Sequence, residues 1–253
     1  MPRWASKFKQ YKPPVADVKS VYDLYGMAKG KVVYVLAPGP SFEDFPKDVL
    51  SGFTTIGMNG LLEIYWPTYW IFQEGIFVKR YMDLYRYGNT HNIVTTLVRS
   101  EFMRQFLPEG KTIYEYFARD LSVLKMDKDT GHVPYWYWPE EKFLPGRSSI
   151  ASNALSLAVL MRAELIVLVG IDFKMREAQY YANGIVKNSG PRLKEKALSA
   201  GKAWFYLASM ARVWKGPKII TTSVTLNAKN IKKVTIDKAI ELSMECLNGS
   251  TCS

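Results

Sequence analysis

KVVYVLAPGPS, residues Lys31–Ser41, runs from an apolar, β-branched segment (Val32, Val33, Tyr34, Val35, Leu36) straight into a turn of small residues, Ala37-Pro38-Gly39-Pro40-Ser41. A second apolar run, Phe53–Ile56, ends the same way in Met58-Asn59-Gly60. Both runs read as buried strands. Each then delivers backbone N–H groups and short polar side chains to the carboxyl edge of a sheet, which is where open α/β folds take up nucleotides.

Working outward, further strands are expected at Tyr69–Phe72, Asn92–Leu97, Leu165–Val169 and, last in the chain, Lys218–Thr222. Helices are expected at Val18–Met27, Ser41–Leu50, Ile76–Tyr87, Ser148–Arg162, Leu193–Val213 and Thr235–Leu247. In the second of these, Ser41 would be the N-cap, with Glu43 and Asp44 in the first turn at the positive end of the dipole. The helix from Ser148 carries small residues (Ala151, Ala154, Ala158) among apolar ones, as close packing on a sheet requires. Ser100–Pro145 has no clear period and reads as an irregular insertion or lid containing the aromatic run Tyr135-Trp136-Tyr137-Trp138. Strands alternating with helices give an α/β fold with a mainly parallel sheet.

Composition sets the outer bounds. At 253 residues the chain fits one large domain, and with 48% hydrophobic and 14% aromatic residues it can bury a substantial core. The division expected is a basic N-terminal extension at 1–30, one domain at 31–228 with 100–145 as the insertion, and a C-terminal helix and tail at 229–253. No apolar run is long enough for a membrane span, since Leu155–Val169 is broken by Arg162 and Glu164. The basic start, Met1–Lys12, lacks a signal-peptide core. Two cysteines, Cys246 and Cys252, make no disulfide framework and read as inert thiols of a cytoplasmic protein.

The net charge of +11 is concentrated. Lys174–Lys238 holds 14 Lys/Arg against three acids, whereas the first 173 residues hold 20 against 18. Such a segment favours a polyanion, such as nucleic acid, acidic lipid or nucleotide phosphates; a solvated lysine-rich surface has the same composition.

Four loops at strand ends make the candidate site: Ala37–Ser41, Met58–Gly60, Gln73–Gly75 and Gly170–Phe173. Arg147-Ser148-Ser149 adds a fifth element, a helix start whose free N–H groups suit a phosphate. Each element alone is also explained by turn chemistry, with Gly39 and Asn59 as turn formers and Asp172 as a helix cap. Their joint order along the chain is what points to a nucleotide.

The pattern VVYVLAPGPS, then MNG, then SSIASNALSLAVLMRAELIVLVGIDF resembles the superfamily that unites family 42 sialyltransferases with the DUF115 proteins. The latter include archaeal 6-hydroxymethyl-dihydropterin pyrophosphokinases and many phage and bacterial proteins of unassigned role. The resemblance covers roughly Lys31–Tyr181 and implies a single Rossmann-like domain. By that resemblance Gly39, Pro40 and Ser41 match the phosphate-side loop, with Pro38 in place of the family's asparagine. Asn59 matches the asparagine that contacts the nucleotide, and Gln73 stands at an amide position. Arg147, Ser148 and Ser149 match the helix start, and Gly170 and Asp172 lie in the family's G-I-D-F. The two phosphate-holding tyrosines that follow correspond to Lys174 and Tyr180; a lysine could stabilise a leaving phosphate by its charge.

One departure stands out. The sialyltransferases carry a base histidine in the region matching Asn188–Lys196, where this chain has none; its two histidines are His91 and His132. Asp127-Lys128-Asp129 has the spacing of a metal motif but the polar setting of a surface turn. Three functions follow. One is a nucleotide-dependent transferase, foremost a glycosyltransferase with a CMP- or UDP-linked sugar donor and no tightly bound cofactor, in which Lys174, Tyr180 and Asp172 serve the reacting centre. Another is an ATP-dependent pyrophosphokinase, the reading that needs Mg²⁺. The third is a non-catalytic nucleic-acid-binding protein. A transferase acting on an anionic acceptor or nucleic acid would join the first and last.

Overall fold

The computed structural model describes residues 16–73, 80–81, 83–85, 88–90, 92–96, 99–100, 103–104, 107, 110–120, 143–146, 150–172, 217–223, 226 and 231–249. Its strands, in chain order, are β1 (Asp17–Ser20), β2 (Val32–Leu36), β3 (Thr54–Met58), β4 (Tyr69–Phe72), β5 (Asn92–Thr96), β6 (Thr112–Asp120), β7 (Phe143–Gly146), β8 (Leu165–Val169), β9 (Lys218–Thr221) and β10 (Lys232–Lys233). The helices α1 (Ile150–Leu160) and α2 (Ile236–Leu247) flank them. Strand order across the sheet is β1-β6-β5-β4-β3-β2-β8-β9-β10, with β7 beside the far half of β6. Every pairing is parallel.

The sheet is covered on both faces, and this is why β2, β4 and β8 are apolar at every position and buried throughout. Val33, Val35, Ile166 and Leu168 face α1, together with Ala151, Ala154, Leu155 and Ala158. On the opposite face, Val32, Tyr34, Leu36, Leu165, Val167 and Val169 pack with Phe42, Phe45, Phe53 and the α2 residues Ala239 and Cys246. The Tyr34 hydroxyl lies 2.7 Å from Ser243 Oγ of α2, so the helix is tied to β2 through a buried polar contact. A further cluster lies under β4–β6, where Trp70 packs with Phe72, Tyr81 and Tyr85.

Several expectations need correcting. Ser41–Leu50 is not an α-helix: it forms two 3₁₀ turns, Pro40–Phe42 and Lys47–Gly52. Pro46 lacks an N–H and restricts Phe45, which interrupts any longer helix. The basic extension includes β1, an edge strand on β6, followed by a 3₁₀ turn at Val21–Leu24 where a helix was expected. Ser20 and Asp23 close that turn with a reciprocal capping box. Within 100–145 the structure places β6, an interior strand between β1 and β5, and β7; the aromatic run lies outside the described residues. β9 is not the last strand, since β10 follows it. Cys246 is disulfide-bonded rather than a free thiol.

The strand order reverses at β2. From there β3 to β6 extend one way and β8 to β10 the other, so the loops after β2 and β8 stand at the switch point. In open α/β sheets such a switch point is the ligand site.

Candidate active site at the switch point

The loops after β2 and β8 touch. Gly39 N–H donates to the Gly170 carbonyl at 3.0 Å, and Ala37 N–H to Val169 O at 2.9 Å. A Cβ on Gly39 would lie 2.2 Å from the Gly170 oxygen. One on Gly170, whose φ is +73°, would lie 2.0 Å from the Ala37 oxygen. Only glycine permits this approach on either side.

Beyond the glycines, Asp172 gathers three strand ends. Its Oδ2 accepts from Ser41 N–H and its Oδ1 from Ser41 Oγ, both at 2.7 Å. Ser223, two residues past β9, donates its hydroxyl to Oδ1 as well. Asp172 is 7% exposed, so its charge is held inside the protein and satisfied by these donors. The carboxyl ends of β2, β8 and β9 are thereby fixed to one another.

Asn59 opens the turn after β3, beside the β2 loop, with φ at +50°. Asparagine tolerates this left-handed conformation better than other side chains. The buried Trp70 indole fixes it, donating from Nε1 to the Asn59 carbonyl at 2.8 Å. No described residue hydrogen-bonds the Asn59 side-chain amide. Gly60, Leu61 and Leu62 of the same turn are buried, so its backbone is firmly seated.

Gln73 follows β4 and faces α1. Its Nε2 donates to Asn153 Oδ1 at 2.9 Å, and Asn153 Nδ2 donates to Leu144 O at 3.2 Å. Tyr116 is fully buried close to Gln73, and burial raises its phenol above the ordinary tyrosine range. Arg99 Nε donates to the Gln73 carbonyl at 3.3 Å. The Asn153 contact fixes the first turn of α1 above the carboxyl ends of the strands, as a helix leading antiparallel into β8 must be.

Thus Pro38, Gly39, Pro40, Ser41, Gly170 and Asp172 come together where the β2 and β8 loops meet, with Asn59 after the neighbouring β3 and Gln73 after β4. Arg147, Ser148, Ser149, Lys174 and Tyr180 lie outside the described residues, as do His91, His132 and Asp127-Lys128-Asp129. Most of the basic segment is outside too; of its described part, Lys232 and Lys233 are exposed on the edge strand β10. Ser223, Asn153, Trp70 and Arg99 escaped the sequence reading. Ser223 carries the signal the other loops carried, a short polar residue just past an apolar strand. Asn153 is a polar break in an apolar helix. Among the described residues no group of three His, Cys, Asp or Glu side chains could hold a metal ion. No helix among them is long and apolar enough to cross a membrane.

No family model matches the chain, nor does any curated protein. Solved structures do. The MAf glycosyltransferase from Magnetospirillum magneticum AMB-1 superposes with a TM-score of 0.56 at 12% identity, over 97% of this chain and 40% of that one. This chain therefore corresponds to well under half of that protein, and the two share a fold. The sialyltransferase CstII from Campylobacter jejuni, solved with the substrate analogue CMP-3FNeuAc, aligns at 15% identity and a TM-score of 0.44, over 80% of this chain and 86% of that one.

Proposed function

We propose that this chain is a nucleotide-dependent transferase of the glycosyltransferase kind, using a CMP- or UDP-linked sugar. The mononucleotide would lie across the carboxyl ends of β2, β3, β4 and β8. The observation that carries the reading is the switch point itself: the strand order reverses between two loops that a glycine pair brings into contact, with Asn59 in the turn after the neighbouring strand β3. The fold shared with the MAf glycosyltransferase supports the class by analogy, and the sequence motifs support the choice of donor.

In this reading the walls are Pro38–Ser41 and Gly170, Asn59 and Gln73 orient the nucleoside, and Arg147, Ser148 and Ser149 face the phosphate. Lys174 and Tyr180 stabilise the leaving nucleotide, while Asp172 holds the reacting edge in shape. An acceptor would approach over the basic segment Lys174–Lys238.

A thermal-shift panel of CMP, UDP, GDP, ADP and ATP, with and without Mg²⁺, tests the proposal. A nucleotide at one hundred times its dissociation constant adds about 2.7 kcal/mol of stability. Stabilisation by CMP or UDP without metal is the expected result. A response confined to ATP with Mg²⁺ would transfer the reading to pyrophosphoryl transfer, and no response to any nucleotide would end it.

A further inference from the structure

We infer that Asn153 is a positioning residue that holds the Gln73 amide with its nitrogen inward, so that Gln73 meets a ligand through its carbonyl oxygen and selects a hydroxyl or amino group there. The inference rests on the nucleotide reading above, in which Gln73 orients the nucleoside, and adds the sense of the hydrogen bond it makes.

A buried amide within an apolar helix needs a reason. Asparagine is a weak helix former, and its amide costs free energy when buried without partners. Asn153 is 2% exposed in the first turn of α1, and both ends of its amide are paired. One pairing settles the direction of the other. The Leu144 carbonyl of β7 can only accept, so the Asn153 atom that reaches it at 3.2 Å is the donor Nδ2. Oδ1, the atom that remains, can only accept, and at 2.9 Å it takes a hydrogen from Gln73 Nε2. A backbone carbonyl thereby fixes, through two side chains, which way a glutamine at the strand edge faces.

The nitrogen is the inner end of the Gln73 amide, since its partner Asn153 is buried while Gln73 is only half so. Tyr116, whose phenol is fully buried, stands beside Gln73. Gln73 opposes the rise that burial imposes on this phenol, as an amide N–H does and an amide oxygen does not. Arg99 holds the backbone of the same residue by donating to its carbonyl. Among the described residues none donates to Gln73 Oε1. An acceptor fixed in this way takes a donor, either a nucleobase amino group or a sugar hydroxyl. It rejects a nucleobase carbonyl, because two acceptors face to face leave both unpaired.

Titration calorimetry of the full chain with CMP and with UMP, which present an amino group and a carbonyl at the same place, tests this. Asn153→Leu frees the Gln73 amide to turn, and affinity is expected to fall about tenfold, the worth of one hydrogen bond. A fall for CMP alone identifies the nucleobase amino group as the donor, and an equal fall for both identifies a sugar hydroxyl. In a Gln73→Met background the same Asn153→Leu change is expected to leave affinity where Gln73→Met alone put it, while still lowering the melting temperature. A merely structural Asn153 would lower affinity alike in both backgrounds, and that result overturns the inference. So does unchanged affinity in Asn153→Leu, or a loss confined to UMP, which would make Gln73 a donor. Should Asn153→Leu fail to fold, Gln73→Met alone reads the same comparison of CMP with UMP, with the same outcomes for and against. If neither nucleotide binds the unaltered chain, the transferase reading itself fails and this inference with it.

Discussion

Gly39 and Gly170 meet backbone to backbone, the first donating its N–H to the carbonyl of the second at 3.0 Å. Through this contact the loops after β2 and β8 are held together at the switch point. Gly39→Ala and Gly170→Ala are each expected to destabilise the protein by about 2–4 kcal/mol, the second also through a positive φ. Gly52, which has open space around its Cβ position and no positive φ, is the control. Gly52→Ala is expected to be neutral or to stabilise by about 0.5 kcal/mol. Urea unfolding midpoints at matched slope check all three.

Asn59 separates backbone from side-chain effects. Asn59→Gly keeps the left-handed turn at no steric cost, while Asn59→Ala costs about 1 kcal/mol at φ +50°. Both remove the amide. Equal loss of nucleotide affinity in the two variants, with stability lost only in the alanine form, is the expected pattern.

Trp70→Phe leaves the Asn59 carbonyl without its indole donor inside a buried cluster. The expected cost is about 1–2 kcal/mol, from the unmade hydrogen bond and the lost ring volume. Amide hydrogen exchange at residues 59–62 should accelerate more than exchange in α2.

Alkaline pH offers a test of the core. Burial holds the Tyr69 phenol up at about 12, against an ordinary value of 10.0, and raises Tyr34 in the same direction. A raised folded-state value means the protonated form is favoured by the fold. Stability from these groups is therefore complete below pH 10, falls as the unfolded chain ionises above it, and is lost as pH passes through 12. Tyrosinate absorbance should show a cooperative step as the buried phenols ionise with unfolding, on top of the gradual titration of exposed ones such as Tyr25.

Legibility in the sequence followed burial on both faces. The continuous apolar runs of β2, β4 and β8 stand out because every side chain of a parallel strand covered above and below is buried. β6 hides because Glu115 occupies an interior position, made tolerable by Ser100 and Arg104, which both bond its carboxylate. Those partners are contributed by the third dimension and leave no periodic trace. β1 is four residues of mixed polarity whose strand character comes from pairing with β6, far along the chain. The candidate site was readable as a series of strand-end loops, but the spending of their donors on Asp172 was not, because Ser41, Asp172 and Ser223 are distant in sequence.

The central claim is that a mononucleotide occupies the switch point, and hydrogen–deuterium exchange of the full chain with saturating CMP or UMP tests it most directly. Protection is expected at residues 37–42, 59–62 and 170–172, with α2 unchanged. Binding accompanied by protection confined to 218–249, or by none in the three loops, would contradict the account.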